Sequence, residues 1–219
     1  MTYSLDERLA LAALLDQAGP DAPTLCTGWQ TRDLAAHVVL RERRPDAGAG
    51  MIGGPLAGYT ARVQRQYLDR YSYPELIELF KAGPPRLSPF AIGGFDETVN
   101  TVEYFVHHED VRRGLPEWQP RKLTPELSDI LWDRLGLARF MLRKAPVGIE
   151  LVRSDEPSPT RAGIPTIRLT ANARTPVVTV TGTPGELTLW AFGRTTTARV
   201  RFDGSDADVG ALTDARWRQ

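Results

Sequence analysis

One cysteine in 219 residues leaves nothing for an internal disulfide to join. Lysine is almost as scarce: Lys81, Lys122 and Lys144 are the only ones, so arginine carries nearly all the positive charge. Lys+Arg and Asp+Glu balance at 27 each, which removes any bulk electrostatic case for nucleic acid or an anionic membrane as partner. The chain has no apolar run of about 18 residues, so no membrane span is expected. Its N-terminus opens with charged helix formers rather than a signal-peptide core, and the cytoplasm is the expected compartment. What is present is an ordinary globular mixture, 42% hydrophobic and 25% charged, enough for one large domain or two small ones.

The first part of the chain has helical grammar. Ser4 and Glu7 form a capping-box pattern, with Leu5, Leu9, Ala12 and Ala13 as the apolar stripe of a first helix that Gly19-Pro20 ends. Thr31 is placed to cap a second helix, with Asp33 in its first turn and Leu34, His37, Val38 and Arg41 grouped along one side, up to Pro45. The glycine-rich stretch 47–58 lacks the preceding strand and the lysine of a phosphate loop, and reads as a connection. Further helices are expected from near Pro55 to Tyr71, from Pro74 to Gly83, and from a cap at Asp96 to Gly114. Thr124-Pro125-Glu126 opens a last long one through Leu127, Leu131, Ala138 and Leu142. The charged runs Arg41-Glu42-Arg43-Arg44 and Arg112-Arg113 read as solvated helix ends, Cys26 as a small buried residue and Trp29 as a core anchor.

After Pro146 the pattern changes. Short β-branched segments, Ile149–Val152, Ile167–Leu169, Val177–Val180 and Val200–Phe202, alternate with helices over Gly185–Phe192 and Asp206–Ala215. The expected fold is therefore α+β: a helical bundle over residues 1–145, then a small domain over 146–219 with a mainly antiparallel sheet.

Histidine occurs only three times, as His37, His107 and His108. In the stretch TVEYFVHHEDVRR, a period of about 100° per residue puts Val99, Val102 and Val106 on one stripe. Glu103 and Asp110 point into its middle, His107 lies at its edge, and His108 faces the opposite way. Burying an unpaired carboxylate costs several kcal/mol, and a bound cation would remove that cost. Glu103 and His107 lie one helical turn apart, so both can grip one ion; the alternative is a solvated helix with a chance Glu-His pair. If the helices carrying them and His37 pack as neighbours, His37, Glu103 and His107 make a three-ligand site with an open position. Two histidines and a carboxylate suit zinc and equally non-haem iron, with nickel or manganese also compatible. Asp110 follows His107 by three residues; it orients a ligand or water, or else pairs with a neighbouring arginine.

Gly28-Trp29-Gln30-Thr31-Arg32-Asp33-Leu34-Ala35-Ala36-His37 resembles the GW-x-x-x-D-L-x-x-H signature of mycothiol-dependent maleylpyruvate isomerase-like proteins, members of the DinB-like superfamily of metal-binding four-helix bundles. Glu103-x-x-x-His107-x-x-Asp110 resembles their second signature. Leu187-Thr188-Leu189-Trp190-Ala191-Phe192-Gly193-Arg194 resembles a third, in the C-terminal domain. The VHHEDVRR stretch is most similar to a metal-binding subgroup distinct from the isomerase itself.

This resemblance implies a divalent cation on His37, Glu103 and His107, and mycothiol as the thiol that attacks a small electrophilic substrate. Asp110 and Arg194 are the further residues it points to, Arg194 to hold a carboxylate of substrate or thiol. The implied activity is a thiol transferase or isomerase. A metal-dependent hydrolase using the same site, and a non-catalytic metal- or small-ligand-binding protein, are the alternatives. The expected location is a cleft walled by both domains, with Arg194 facing the metal.

Overall fold

The computed structural model describes residues 2–48, 56–85, 100–159, 166–214 and 217. The chain divides into two units, Met1–Gln119 and Pro120–Gln219. In the first, α1 (Tyr3–Ala18), α2 (Thr31–Arg43), the short α3 (Pro45–Gly48), α4 (Ala57–Arg70), α5 (Tyr73–Lys81) and α6 (Thr101–Gly114) form the bundle. Its apolar core is Leu11, Ala12 and Leu15 of α1, Leu34, Ala35 and Val38 of α2, Leu76, Ile77 and Phe80 of α5, and Tyr104 and Val111 of α6. Each large apolar side chain taken out of water there contributes about 1.5–3 kcal/mol.

The start and phase of α1 differ from the sequence expectation. Thr2, not Ser4, is the N-cap and accepts from the Leu5 amide. The buried face is Ser4, Glu7, Arg8, Leu11, Ala12 and Leu15, while Leu5 and Leu9 are exposed. The inward positions include two charged residues because each has a partner across the bundle: Glu7 Oε2 lies 3.2 Å from His108 Nδ1, and Arg8 meets Glu42. Likewise α2 begins at Thr31 with Gln30 as N-cap, whose amide donates to Asp33 Oδ2 at 2.9 Å. The expected cap at Asp96 and most of the glycine-rich connection lie outside the described residues.

Arg8 ties four helices together. Its guanidinium donates to Glu42 of α2 (2.9 Å), to the Phe80 carbonyl of α5 (3.0 Å) and to the Tyr104 hydroxyl of α6 (2.8 Å), and it stacks over the Phe80 and Tyr104 rings. Tyr104 in turn donates to Glu42. Burial pushes the Glu42 carboxyl up, against the opposing pull of Arg8 and Tyr104. So Arg41-Glu42-Arg43 is not a solvated helix end: Arg41 and Glu42 are buried, and Arg43 donates to the carbonyls of Leu79 and Gly83. Arg113 is also buried, 2.7 Å from Glu109 and over the Trp118 ring.

The second unit contains α7 (Pro125–Arg134), a 3-10 turn (Leu135–Leu137), α8 (Ala138–Leu142), strands β1 (Gly148–Arg153), β2 (Arg168–Asn172), β3 (Val177–Gly182) and β4 (Arg201–Asp203), and helices α9 (Pro184–Ala191) and α10 (Asp206–Thr213). The sheet order is β2-β1-β3-β4, with β1 and β3 parallel and the outer pairings antiparallel. The link from β2 to β3 passes across the start of β1, where a Cβ on Gly148 would lie 1.8 Å from the Arg174 carbonyl oxygen. Only glycine permits that crossing.

The expected boundary at residue 145 differs from this division. Thr124 caps α7 as expected, but Trp132, Leu135, Ala138 and Leu142 share a core with Ile149, Leu151, Val178, Val180, Leu187 and Trp190. Helical periodicity shows that these residues have an apolar face, not which core receives it.

Two outcomes test this packing. Arg8→Ala, which leaves the Glu42 carboxylate buried without its guanidinium, should lower unfolding stability by about 3–5 kcal/mol in urea titrations. Gly148→Ala should destabilise the second unit by roughly 3 kcal/mol or more, read by the same method, because the backbone it meets cannot yield.

Candidate metal centre

Two local devices aim the site residues. Between α1 and α2 the Thr24 hydroxyl donates to the Trp29 carbonyl (3.0 Å) and accepts from the Cys26 amide (3.2 Å), and Gly28 takes φ 77°, where a side chain would strain the turn. That turn sets the half-buried Trp29 ring 5.0 Å from the His37 ring, tilted by 57°. On α2, His37 and Arg41 are one turn apart and both face α6, where Glu103 and His107 have the same spacing. The paired spacings bring two residues from each helix to one place.

His37 Nε2 lies 3.6 Å and His107 Nε2 3.2 Å from the same Glu103 oxygen, Oε1. The two imidazoles meet edge to face, with centroids 5.1 Å apart and planes at 76°. On its other edge, His107 Nδ1 is 2.9 Å from Asp110 Oδ2. Asp110 is fully buried, and it fixes the imidazole so that Nε2 points toward Glu103. Arg41 Nε approaches the same Glu103 oxygen at 3.5 Å, and its guanidinium also donates to Asn100.

Burial alone would raise the Glu103 carboxyl, but hydrogen bonds from His107 and His37 and the charges of His107 and Arg41 hold it well below the usual carboxylate range. Burial opposes charge on His107 too, yet the bonds to Asp110, Cys26 and Glu103 raise it well above an ordinary histidine. For His37 burial prevails and its value is lowered. The two histidines are thus driven apart: one favours its proton, the other the bare nitrogen that a metal requires.

The donor set fits a divalent cation. One nitrogen from each histidine and the Glu103 oxygen all lie within 4.8 Å of one another. Bonds of about 2.1 Å to a tetrahedral ion would separate its ligands by about 3.4 Å, and the two measured separations from Glu103 bracket that value. His37, Glu103 and His107 are therefore brought together as the sequence suggested, with Asp110 behind His107. His108 lies on the other side of α6, against Glu7. Arg194 belongs to the second unit, at the end of α9, where its guanidinium donates to the Phe192 carbonyl (2.6 Å).

The sequence does not place three further participants at this site. Arg41 stands one turn beyond His37 and carries the only warning, its place on the apolar side of α2. Asn100, just before α6, gave none. Cys26 points Sγ at Asp110 Oδ2, 3.2 Å away, a contact between positions 84 apart in the chain that no local pattern reveals.

His107→Ala should abolish tight binding of divalent ions, whereas His108→Ala should leave metal content within about twofold of wild type while lowering stability by removing a buried partner of Glu7. Elemental analysis beside urea denaturation separates the two effects.

Residues 4–91 match the family model described as mycothiol maleylpyruvate isomerase N-terminal domain. No curated protein and no solved structure matches the chain. The matched stretch contains Cys26, Trp29, His37 and Arg41 but ends before Glu103 and His107, so the α6 half of the site stands on geometry alone. Among the described residues, no helix is long and apolar enough to cross a membrane. Over its N-terminal helices, the chain is similar to the mycothiol maleylpyruvate isomerase N-terminal domain.

Proposed function

We propose that the protein binds one divalent cation through His37, Glu103 and His107 and uses it in thiol chemistry, as a mycothiol-dependent transferase or isomerase acting on a small electrophilic substrate. The observation that carries this reading is the convergence of His37 Nε2 and His107 Nε2 on one Glu103 oxygen, in a chain whose N-terminal helices match a mycothiol-related family. A divalent cation held there would lower the pKa of a coordinated thiol and supply thiolate, the nucleophile, at neutral pH. Zinc suits the donor set best, and iron, nickel and manganese are compatible with it.

The chain's own residues have separate tasks. Asp110 holds the His107 ring in orientation, and Trp29 packs against His37 and limits its movement. Three protein donors leave a coordination position for a small ligand. Arg194 is assigned to a carboxylate of thiol or substrate, because a guanidinium matches a carboxylate in a two-pronged fork.

One contact favours a second, non-catalytic reading. Arg41 at 3.5 Å from Glu103 supplies positive charge that already compensates the carboxylate, as a purely structural polar cluster would.

Metal analysis of protein purified without a histidine tag, together with a mycothiol-adduct assay, separates the two readings. The catalytic reading expects about one ion per chain in wild type and less than about a tenth of that in His37→Ala. It also expects adduct formation that stops on chelation. Ion content unchanged by His37→Ala would overturn the ligand assignment, and an ion-loaded protein with no thiol-dependent turnover would leave the structural reading standing. Arg194→Ala should keep its ion and raise the apparent KM for thiol or substrate by about tenfold or more, the loss of a charge-assisted hydrogen bond of roughly 1.5–3 kcal/mol.

A further inference from the structure

His107 has two ring nitrogens, and the site described above uses only Nε2. On the opposite edge, Nδ1 faces a separate group of donors. Asp110 Oδ2 lies 2.9 Å from it, and Cys26 Sγ lies 3.2 Å from that same oxygen. The thiol, the imidazole and the carboxylate all have ligand atoms within 4.8 Å of one another. Asp110 is fully buried, His107 nearly so and Cys26 half-buried.

The fold holds this arrangement by contacts outside the cluster. The Leu25 amide donates to the Asp110 carbonyl at 3.0 Å, fastening the residue before Cys26 to α6. At the end of α6 a Cβ on Gly114 would lie 2.5 Å from the Pro23 carbonyl oxygen and 2.7 Å from Thr24 Cα. Only a glycine there lets the loop lie directly on the helix. The Thr24 turn then points the thiol inward.

We propose that Cys26 Sγ, His107 Nδ1 and Asp110 Oδ2 form a second cation position, selective for a thiophilic divalent ion such as zinc or cadmium, that competes with the His37–Glu103–His107 position for the shared imidazole. In the ion-free protein, the S–H and the Nδ1–H both face Asp110 Oδ2 as donors. An ion bound there replaces both. It forms bonds to sulfur, Nδ1 and the carboxylate, the thiol proton and the Nδ1 proton leave to solvent, and Nε2–H stays directed at Glu103. Ligand separations of about 3.4 Å between nitrogen and oxygen and about 3.6 Å between sulfur and oxygen around such an ion require the two contacts of Asp110 to open by about half an ångström or less. A thiolate donor favours soft ions, whereas two imidazoles with a carboxylate also accept harder ones such as manganese or iron. The identity of the ion therefore selects which edge of His107 is used. The competition rests on the proposed His37–Glu103–His107 ligand set, whereas the Cys26 position itself needs neither that set nor thiol transfer.

Cobalt(II) loaded into the full chain in thiol-free buffer tests it, because thiolate ligation gives an intense sulfur-to-metal charge-transfer band in the near ultraviolet. Wild type and His37→Ala should both show the band, and Cys26→Ser should lose at least about nine-tenths of it. A wild type without the band at saturating cobalt overturns the proposal, and so does a band of equal strength in Cys26→Ser or one lost in His37→Ala. A measurement on unmutated protein uses the fact that Cys26 is the only cysteine. Cadmium should slow its alkylation by iodoacetamide about tenfold or more, and an unchanged rate overturns the proposal.

Discussion

A guanidinium taken out of water costs several kcal/mol unless its partners surround it, and the bundle is assembled around one that has them. Arg8 reaches Glu42, the Phe80 carbonyl and Tyr104, so α1 can occupy its place only when α2, α5 and α6 occupy theirs. The consequence for the metal centre is one of register. Glu42 follows Arg41, and Tyr104 follows Glu103. Fixing the Glu42–Tyr104 contact therefore fixes which faces of α2 and α6 hold Arg41, Glu103, His37 and His107. A one-residue slip would rotate each of those side chains by about 100°.

The same logic explains a helix that looks half polar yet is buried nearly all round. Each polar face of α6 has its own counterpart: His108 with Glu7, Tyr104 with Arg8 and Glu42, Glu109 with Arg113, and His107 with Asp110. Such pairing offsets the desolvation that an unpartnered group would suffer. It also divides the helix by role. The α1-facing side is closed structural pairing, while the side toward α2 carries the donors that converge on one carboxylate oxygen.

The existence and type of the helices were legible from capping residues and apolar spacing, as Thr124 and the segment Gly185–Phe192 illustrate. The pairing of His37 with Glu103 and His107 was legible because each pair or residue sits on an inward helix face and histidine is so rare. The phase of α1 was not legible. A pattern that scores hydrophobicity selects Leu5 and Leu9, whereas burial follows Glu7 and Arg8, whose partners lie far along the chain. Arg41 and Glu42 look solvated in the sequence for the same reason, yet both are buried. The domain boundary escaped because a helix carries no mark of the core it joins: α7 and α8 have ordinary amphipathic patterns and pack with the sheet. Cys26 depends on Gly114, whose part is a missing Cβ at a close approach rather than any motif.

The helix on which these pairings converge is the last of its unit to be synthesised. Until residues 101–114 leave the ribosome, Glu7, Arg8 and Glu42 lack their counterparts on α6, and α1 lacks one of the helices on which it packs. The matched segment, residues 4–91, thus lacks the α6 side of the core, Tyr104 and Val111. Vectorial synthesis exposes its apolar faces for the time needed to add α6, and closure then joins residues some hundred positions apart, an entropically slow event. During that interval the nascent bundle is a natural client for chaperones.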